Sequence, residues 1–378
     1  MPMRVTMVNK YYPPHLGGIE YHMRDLATAL VARGHNVRAL VANEARETVR
    51  ERVDGVDVTR FGRSFAYAST PVSLGLRRAI KAEASAHTPA DVLHLHFPYP
   101  WGEVSWLSAS PGLPTVMTYH SDIVRQKALL AAYEPLLRRV LDRVDVIIAT
   151  SPDMVEHSPF LSRVAEKCRV VPFGIDVDHF DLTGEQTERA ADIRAAHVRP
   201  VVLFVGRLVY YKGVDVLVEA MASVDADLVI VGTGPLEEQL RARIEELGTS
   251  DHTMILPELS SDELAAWFNA ADVFCLPSVA RSEAFGLVQL EAHASGTPVV
   301  STRLTTGVPF VNQDGVTGLT VTPGSVEELA EALGRLVADQ PLRERLGTQA
   351  KERARAEFTI ERMVEQTLAV YDEAMGVA

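Results

Sequence analysis

Ser282-Glu283-Ala284-Phe285-Gly286-Leu287-Val288-Gln289-Leu290-Glu291-Ala292 is preceded by the apolar run Asp272-Val273-Phe274-Cys275-Leu276, which Pro277 and Ser278 close. It is followed by Gly296-Thr297-Pro298 and a second β-branched run, Val299-Val300-Ser301. Strand, loop, helix and strand in that order make up one unit of a parallel α/β sheet. In such a unit the loop after the strand and the mouth of the helix collect ligands, because free backbone N–H groups and the helix dipole attract phosphate and sugar oxygens. The spacing puts Glu283 in that loop and Glu291 about two turns deeper, with seven residues between them. One carboxylate can accept hydrogen bonds from hydroxyls at the mouth and the other from a second set beside it. A bare pair of this kind also occurs as a solvated face of an amphipathic helix, so the rest of the chain has to decide.

A chain of 378 residues is too long for one ordinary core and implies two domains. With 47% apolar and 23% charged residues it has a globular composition, and 37 basic against 50 acidic residues give a net charge of −13. That field repels nucleic acid and argues against it as a partner. Local basic patches such as Arg77-Arg78 with Lys81, or Arg138-Arg139 with Arg143, leave room for peripheral membrane contact, although such charges usually line solvated helix faces. The two cysteines, Cys168 and Cys275, stand far apart and form neither a disulfide framework nor a metal spacing. A polar Asn9-Lys10 turn after one short strand argues against a signal peptide, and no apolar run reaches the ~18 residues of a membrane span. The expected location is cytoplasmic, with the inner face of a membrane left open.

Short β-branched runs alternate with helix-length segments in two series. The first has strands at 4–8, 37–41, 91–95, 115–119 and 146–150 with helices such as 21–32 and 129–141; the second has strands at 201–205, 228–231, 273–276 and 299–301 with helices near 214–222, 236–247 and 287–294. Each series implies a parallel sheet wound by right-handed crossovers. The expected domains are 1–175 and 176–358, with the segment 359–378 packing back on the first. Two Rossmann-like domains facing each other would leave a ligand cleft lined by the loops at the carboxyl ends of both sheets.

Several loops would line it. Pro13-Pro14-His15-Leu16-Gly17-Gly18-Ile19-Glu20 follows the first strand, and paired glycines let a backbone approach a ligand. Gly206-Arg207-Leu208-Val209-Tyr210-Tyr211-Lys212-Gly213 follows the strand 201–205 and offers a diphosphate a planar guanidinium fork and a mobile point charge. Gly232-Thr233-Gly234-Pro235 repeats the strand-to-helix glycine pattern but lacks the last glycine of the dinucleotide fingerprint. His120, at a strand end before Ser121 and Asp122, is read as facing the cleft rather than the core. His94 and His96 alternate on one strand face without a carboxylate or cysteine at ligand spacing, and are read as hydrogen-bonded structural histidines rather than a zinc pair.

Together, Gly17-Gly18-x-Glu20, His120-Ser121-Asp122, Gly206-Arg207 with Lys212-Gly213, and Glu283-x7-Glu291 with Phe285-Gly286 resemble, in order and spacing, the family 4 retaining glycosyltransferases of the GT-B fold. The resemblance extends over Phe173-Gly174-Ile175-Asp176 and Gly315-Val316-Thr317-Gly318-Leu319, and so over essentially the whole chain. It implies that a nucleotide-diphosphate sugar is a substrate, with no cofactor and no metal. By the same resemblance Arg207 and Lys212 would hold the diphosphate and Glu291 the ribose. Glu283, Ala284 and the N–H groups of Phe285, Gly286 and Leu287 would hold the sugar and distal phosphate. His120 would contact the sugar, while Gly17, Gly18 and Gly234 would line the donor site. His293 stands where the family commonly has Met. The stretch His120-Ser121-Asp122-Ile123-Val124-Arg125-Gln126-Lys127, with Thr306-Gly307-Val308-Pro309, is similar to the subset that uses GDP-mannose, and UDP-sugars remain an alternative. The acceptor would be a hydroxyl of a glycan, a lipid-linked glycan or a small molecule. A nucleotide-sugar epimerase, a phosphorylase and a noncatalytic sugar-nucleotide sensor share such an architecture. A sensor has no need of His120 and Glu283 together, and a pyridoxal phosphorylase would need a lysine that Lys212 does not spare.

Overall fold

The structure, a computed structural model, describes residues 2–15, 17–67, 70–85, 87–123 and 127–377. Leu16 of the first glycine loop and residues 124–126 of the stretch that suggests GDP-mannose lie outside the described residues. The chain separates into two compact units, one formed by residues 1–174 with 360–378 and the other by 175–359.

The first unit carries strands β1 (Arg4–Val8), β2 (Asn36–Ala42), β3 (Val49–Val53), β4 (Val56–Phe61), β5 (Phe65–Tyr67), β6 (Thr70–Val72), β7 (Val92–Phe97), β8 (Thr115–Tyr119), β9 (Val146–Ala149) and β10 (Cys168–Val170). Eight of them form a sheet in the order β10-β9-β8-β7-β1-β2-β4-β3, parallel except where β3 pairs antiparallel with β4, and β5 and β6 form a separate hairpin. β7, β8 and β9 are buried at every position, so β8 and β9 read as apolar or β-branched runs rather than as alternation, while β7 buries His94 and His96 among its apolar residues. The helices Gly18–Ala32 and Ile360–Met375 bring Met23, Leu26, Leu30, Met363, Val364 and Tyr371 into one core with Val5, Met7 and Val116. The terminal helix thus belongs to the first unit, and the sheet order reverses at β1 and β7.

The second unit holds β11 (Val201–Val205), β12 (Asp227–Val231), β13 (Thr253–Leu256), β14 (Val273–Leu276), β15 (Val299–Thr302) and β16 (Gly318–Val321). All pair in parallel, in the order β13-β12-β11-β14-β15-β16. Numbered within the unit this is 3-2-1-4-5-6, the order of a Rossmann sheet, whose ligands bind where it reverses, between β11 and β14.

Three details differ from the sequence reading. β3 to β6, β10, β13 and β16 had no apolar run to announce them; β3, Val-Arg-Glu-Arg-Val, is almost wholly exposed and charged, as a sheet edge permits. The first helix opens at Gly18 itself, so the second glycine of the pair is helical. The helix Val288–Ser295 starts one residue after the expected 287, with Glu291 in its first turn. No helix among the described residues is long and apolar enough to cross a membrane.

Candidate active site

At the reversal point of the second sheet the loops leaving β11 and β14 are tied to each other. The first turns through a short 3-10 segment, Tyr210–Lys212, and ends at Gly213 with φ of 64°. A Cβ there would stand 2.2 Å from the Pro277 carbonyl oxygen, so both the left-handed backbone and the close approach require glycine. Beside it the Val279 N–H donates to the Tyr211 carbonyl at 2.8 Å. This junction delivers Lys212 to Glu283: Nζ lies 2.6 Å from Oε2, with side chains 13% and 10% exposed. Ser278 Oγ donates to the same carboxylate oxygen at 3.0 Å. Arg207, at the start of the loop, is exposed.

Two residues after Glu283 the chain passes Phe285, which is buried, then Gly286, and enters the helix Val288–Ser295 with no side chain capping it. Its first backbone N–H groups are the kind that hold anions. Glu291 is partly accessible yet densely surrounded by protein, and burial pushes its carboxyl up to about 7, against the pull of the Lys212 ammonium. Two glutamates that look equivalent in sequence thus differ: one is ion-paired, the other sits near neutrality. Gly234 is held differently from a ligand cradle. A Cβ there would stand 2.4 Å from the Leu208 carbonyl oxygen, and Leu208 N–H donates to Thr233 at 2.9 Å, so this glycine packs the loop after β12 against the loop carrying Arg207.

In the first unit Gly17 is partly covered while Gly18 is exposed. A Cβ on Gly17 would lie 2.3 Å from Glu20 Oε2, so the first-turn carboxylate folds back over the glycine, and burial raises its pKa. An anion approaching Gly17 and Gly18 meets that carboxylate first.

His120, expected to avoid the core, is instead 3% exposed. Its backbone N–H donates to Phe97 at 3.1 Å, which extends the β7 and β8 ladder and turns the ring inward. There His96 Nδ1 and His120 Nε2 are 3.0 Å apart, and the two rings stack at 5.3 Å between centroids. His94 stacks on His96 at 4.4 Å and bonds Tyr371 Oη through Nδ1 at 2.8 Å and Thr118 Oγ1 through Nε2 at 2.7 Å. His22, which the sequence reading did not single out, presents its ring edge to His96 and His120 at 5.8 and 5.2 Å. Its only sequence signal was a helical step from the Gly-Gly loop. Burial lowers the pKa of all four, to about 3 for His22 and His94 and well below the usual value for His96 and His120, so the cluster is uncharged at neutral pH.

His22, His96 and His120 offer nitrogens within 4.8 Å of one another. A tetrahedral zinc would draw them to within ~3.4 Å, given metal–nitrogen distances of about 2.0–2.1 Å. The direct His96–His120 hydrogen bond already commits one nitrogen of each, and no carboxylate belongs to the group. The set fits a chain of neutral imidazoles better than a metal ligand set.

With this geometry in hand, comparison with known proteins is informative. Residues 16–179 match Glycosyltransferase Family 4 and residues 185–353 match Glycosyl transferases group 1. The chain is 34% identical over 373 residues to the O-antigen chain mannosyltransferase C of Escherichia coli, covering 98% of each. It is 33% identical over 358 residues to a D-rhamnosyltransferase of Pseudomonas aeruginosa, covering 94% of this chain and 92% of that one. Sucrose-phosphate synthase from Thermosynechococcus elongatus superposes with a TM-score of 0.81 at 23% identity over 100% of both chains, a likeness of fold. The architecture is that of GT-B glycosyltransferases, with two Rossmann-like domains. The chain belongs to the family 4 glycosyltransferases.

Proposed function

We propose that this glycosyltransferase is a metal-independent, retaining mannosyltransferase that moves mannose from GDP-mannose to a hydroxyl of a glycan, a lipid-linked glycan or a small molecule, in the cytoplasm or at the inner face of a membrane. The observation that carries the reading is the convergence of Arg207, Lys212, Glu283 and Glu291 on the reversal point of one Rossmann sheet. Fixed cations and uncapped helix amides are what a departing diphosphate needs, and they act without a metal. Arg207 and Lys212 hold the diphosphate, Glu291 accepts from the ribose hydroxyls, and Glu283 accepts from the sugar hydroxyls, with Ala284, Phe285, Gly286 and Leu287 shaping that pocket and His120 meeting the sugar. The bond from the anomeric carbon to the phosphate oxygen breaks with its electron pair going to phosphate. The acceptor oxygen bonds the anomeric carbon on the same face, and its proton passes to the leaving phosphate oxygen.

The choice of mannose rests on the relatives and on the His120–Lys127 stretch. D-rhamnose is 6-deoxy-D-mannose, so the two relatives are named for sugars of one configuration. The test is a panel of GDP- and UDP-sugars scored by thermal shift, followed by transfer assays with the best binder. Stabilisation by GDP-mannose above all others, and an α-linked product, are expected. Preference for a UDP-sugar would overturn the donor, an inverted product would overturn retention, and epimerised sugar without transfer would overturn the activity.

A further inference from the structure

The cluster around His120 holds more unsatisfied polar atoms than a structural core retains. His120 Nδ1, His96 Nε2 and both nitrogens of His22 are buried with no hydrogen-bond partner among the described residues. Native proteins pair nearly all their buried polar groups, so several unpaired in one place mark a site that something else completes. By contrast His94, one layer deeper, has both nitrogens bonded. The boundary between satisfied and unsatisfied imidazoles runs through His96.

His120 is held from three sides. His96 bonds its Nε2, Phe173 stacks on its face at 5.5 Å with 21° between the planes, and His22 closes the edge. A neutral imidazole carries one N–H, so the shared 3.0 Å bond also couples the two tautomers. When His96 Nδ1 donates, His120 carries its hydrogen on Nδ1; when His120 Nε2 donates, Nδ1 is a bare acceptor. In both cases Nε2 is committed, and Nδ1 is the single nitrogen of His120 left for a ligand.

Resting on the reading of His120 as the sugar-facing residue, we infer that His96 is its positioning residue: it holds the His120 ring through Nε2 and ties the His120 tautomer to its own, so that Nδ1 alone meets a sugar hydroxyl. His96 itself touches no substrate. It acts as the outer-layer partners of functional histidines do, by choosing which nitrogen is presented and where it points.

The test reads the His120 ring nitrogens by long-range proton–nitrogen NMR on the full-length protein, with and without GDP-mannose, together with kcat, KM and GDP affinity. In the wild type, donor binding should shift His120 Nδ1 and leave Nε2 in place. His96→Phe keeps the stacking but removes the bond, and His96→Gln carries its amide out to the Nε2 position, away from His120. Both should shift the His120 tautomer populations away from those of the wild type and lower kcat, by about 10- to 100-fold if the loss matches that seen for outer-layer partners of metal-bound histidines, while GDP affinity stays within about twofold because GDP lacks the sugar. His96→Asn, whose amide occupies the Nδ1 position, should keep the bond to His120 Nε2 and restore most of kcat. If His96→Phe fails to fold, the contrast between Gln and Asn still decides. An unchanged His120 tautomer in both His96→Phe and His96→Gln overturns the inference, as does zinc retained through dialysis and lost in the His22, His96 and His120 variants alike. If instead the tautomer responds as stated but His120→Ala transfers normally, the positioning stands and the sugar-facing role of His120 falls.

Discussion

Lys212 Nζ lies 2.6 Å from Glu283 Oε2, so the residue proposed for the diphosphate and the residue proposed for the sugar are each other's partner. The loops after β11 and β14 create this pairing, with Gly213 seated against Pro277 and Val279 bonded to Tyr211. Ser278 adds a second donor to the same oxygen. On the proposed roles, donor binding would exchange one charge-assisted contact for another instead of ordering two solvated side chains.

Breaking this pair from either side should give opposite effects on the free nucleotide. Lys212→Ala removes a phosphate contact and leaves Glu283 buried without its cation. GDP affinity should fall by about 1.5–3 kcal/mol, and unfolding stability by about 3 kcal/mol or somewhat less, given the residual exposure of the pair. Glu283→Gln frees Lys212 for phosphate, so GDP should bind at least as tightly as to the wild type while transfer collapses. Calorimetry with GDP and urea unfolding of both variants check this. GDP binding weakened by Glu283→Gln would assign Glu283 to the nucleotide or to the fold.

A separate prediction concerns Glu103, on the helix Pro100–Ala109, which burial pushes up to about 7 despite hydrogen bonds donated by the Tyr133 hydroxyl at 2.7 Å and the Tyr99 N–H at 2.9 Å. Because the folded protein holds this proton more tightly than the unfolded chain, whose carboxyl titrates near 4.5, the stabilisation is complete below that value and is lost as pH rises through about 7. Glu103→Gln carries no titrating proton. Its melting temperature relative to wild type should rise between about pH 4 and about pH 8; a constant difference across that range would show that Glu103 is ionised throughout.

What could be read from sequence follows from how each element is stabilised. β11, β12, β14 and β15 are buried, so Val201–Val205 or Val273–Leu276 declares itself by composition. β3 draws its stability from pairing with β4 at an edge, with Glu51 Oε1 2.6 Å from Arg60 Nε, and a charged run gives no periodicity to detect. The motifs marked the loops correctly because Gly213 and Gly286 sit at left-handed φ that the sequence records as glycine. The state of the carboxylates was not legible. That Glu283 is ion-paired and Glu291 enclosed depends on where Lys212 arrives across the sheet, which local sequence does not encode. His22 was missed for the same reason: it joins His96 and His120 only once β1 and β7 are neighbours.

Metal independence is tested by removal. Activity should persist in excess EDTA, since Arg207, Lys212 and the helix mouth are proposed to neutralise the departing diphosphate. Initial rates before and after exhaustive chelation decide the point. A loss restored by magnesium or manganese would assign the cation to the mechanism.

The last prediction separates Glu291 from Glu283 by pH and by ligand. A ribose diol donates two strong hydrogen bonds to an ionised carboxylate but only weaker ones to the protonated acid, and the Glu291 carboxyl sits at about 7. GDP affinity should therefore weaken as pH falls from about 8 to about 6 by more than the titration of the GDP phosphate accounts for. Glu291→Gln, which has no proton to lose, supplies the phosphate contribution alone, so the difference between the two profiles isolates the carboxyl. Glu291→Ala should weaken GDP and GDP-mannose to similar extents, about 1–3 kcal/mol, because both carry the ribose. Glu283→Gln should spare GDP and impair GDP-mannose. Parallel pH profiles for wild type and Glu291→Gln, with equal losses for both glutamates on both ligands, would mean that neither carboxylate distinguishes ribose from sugar.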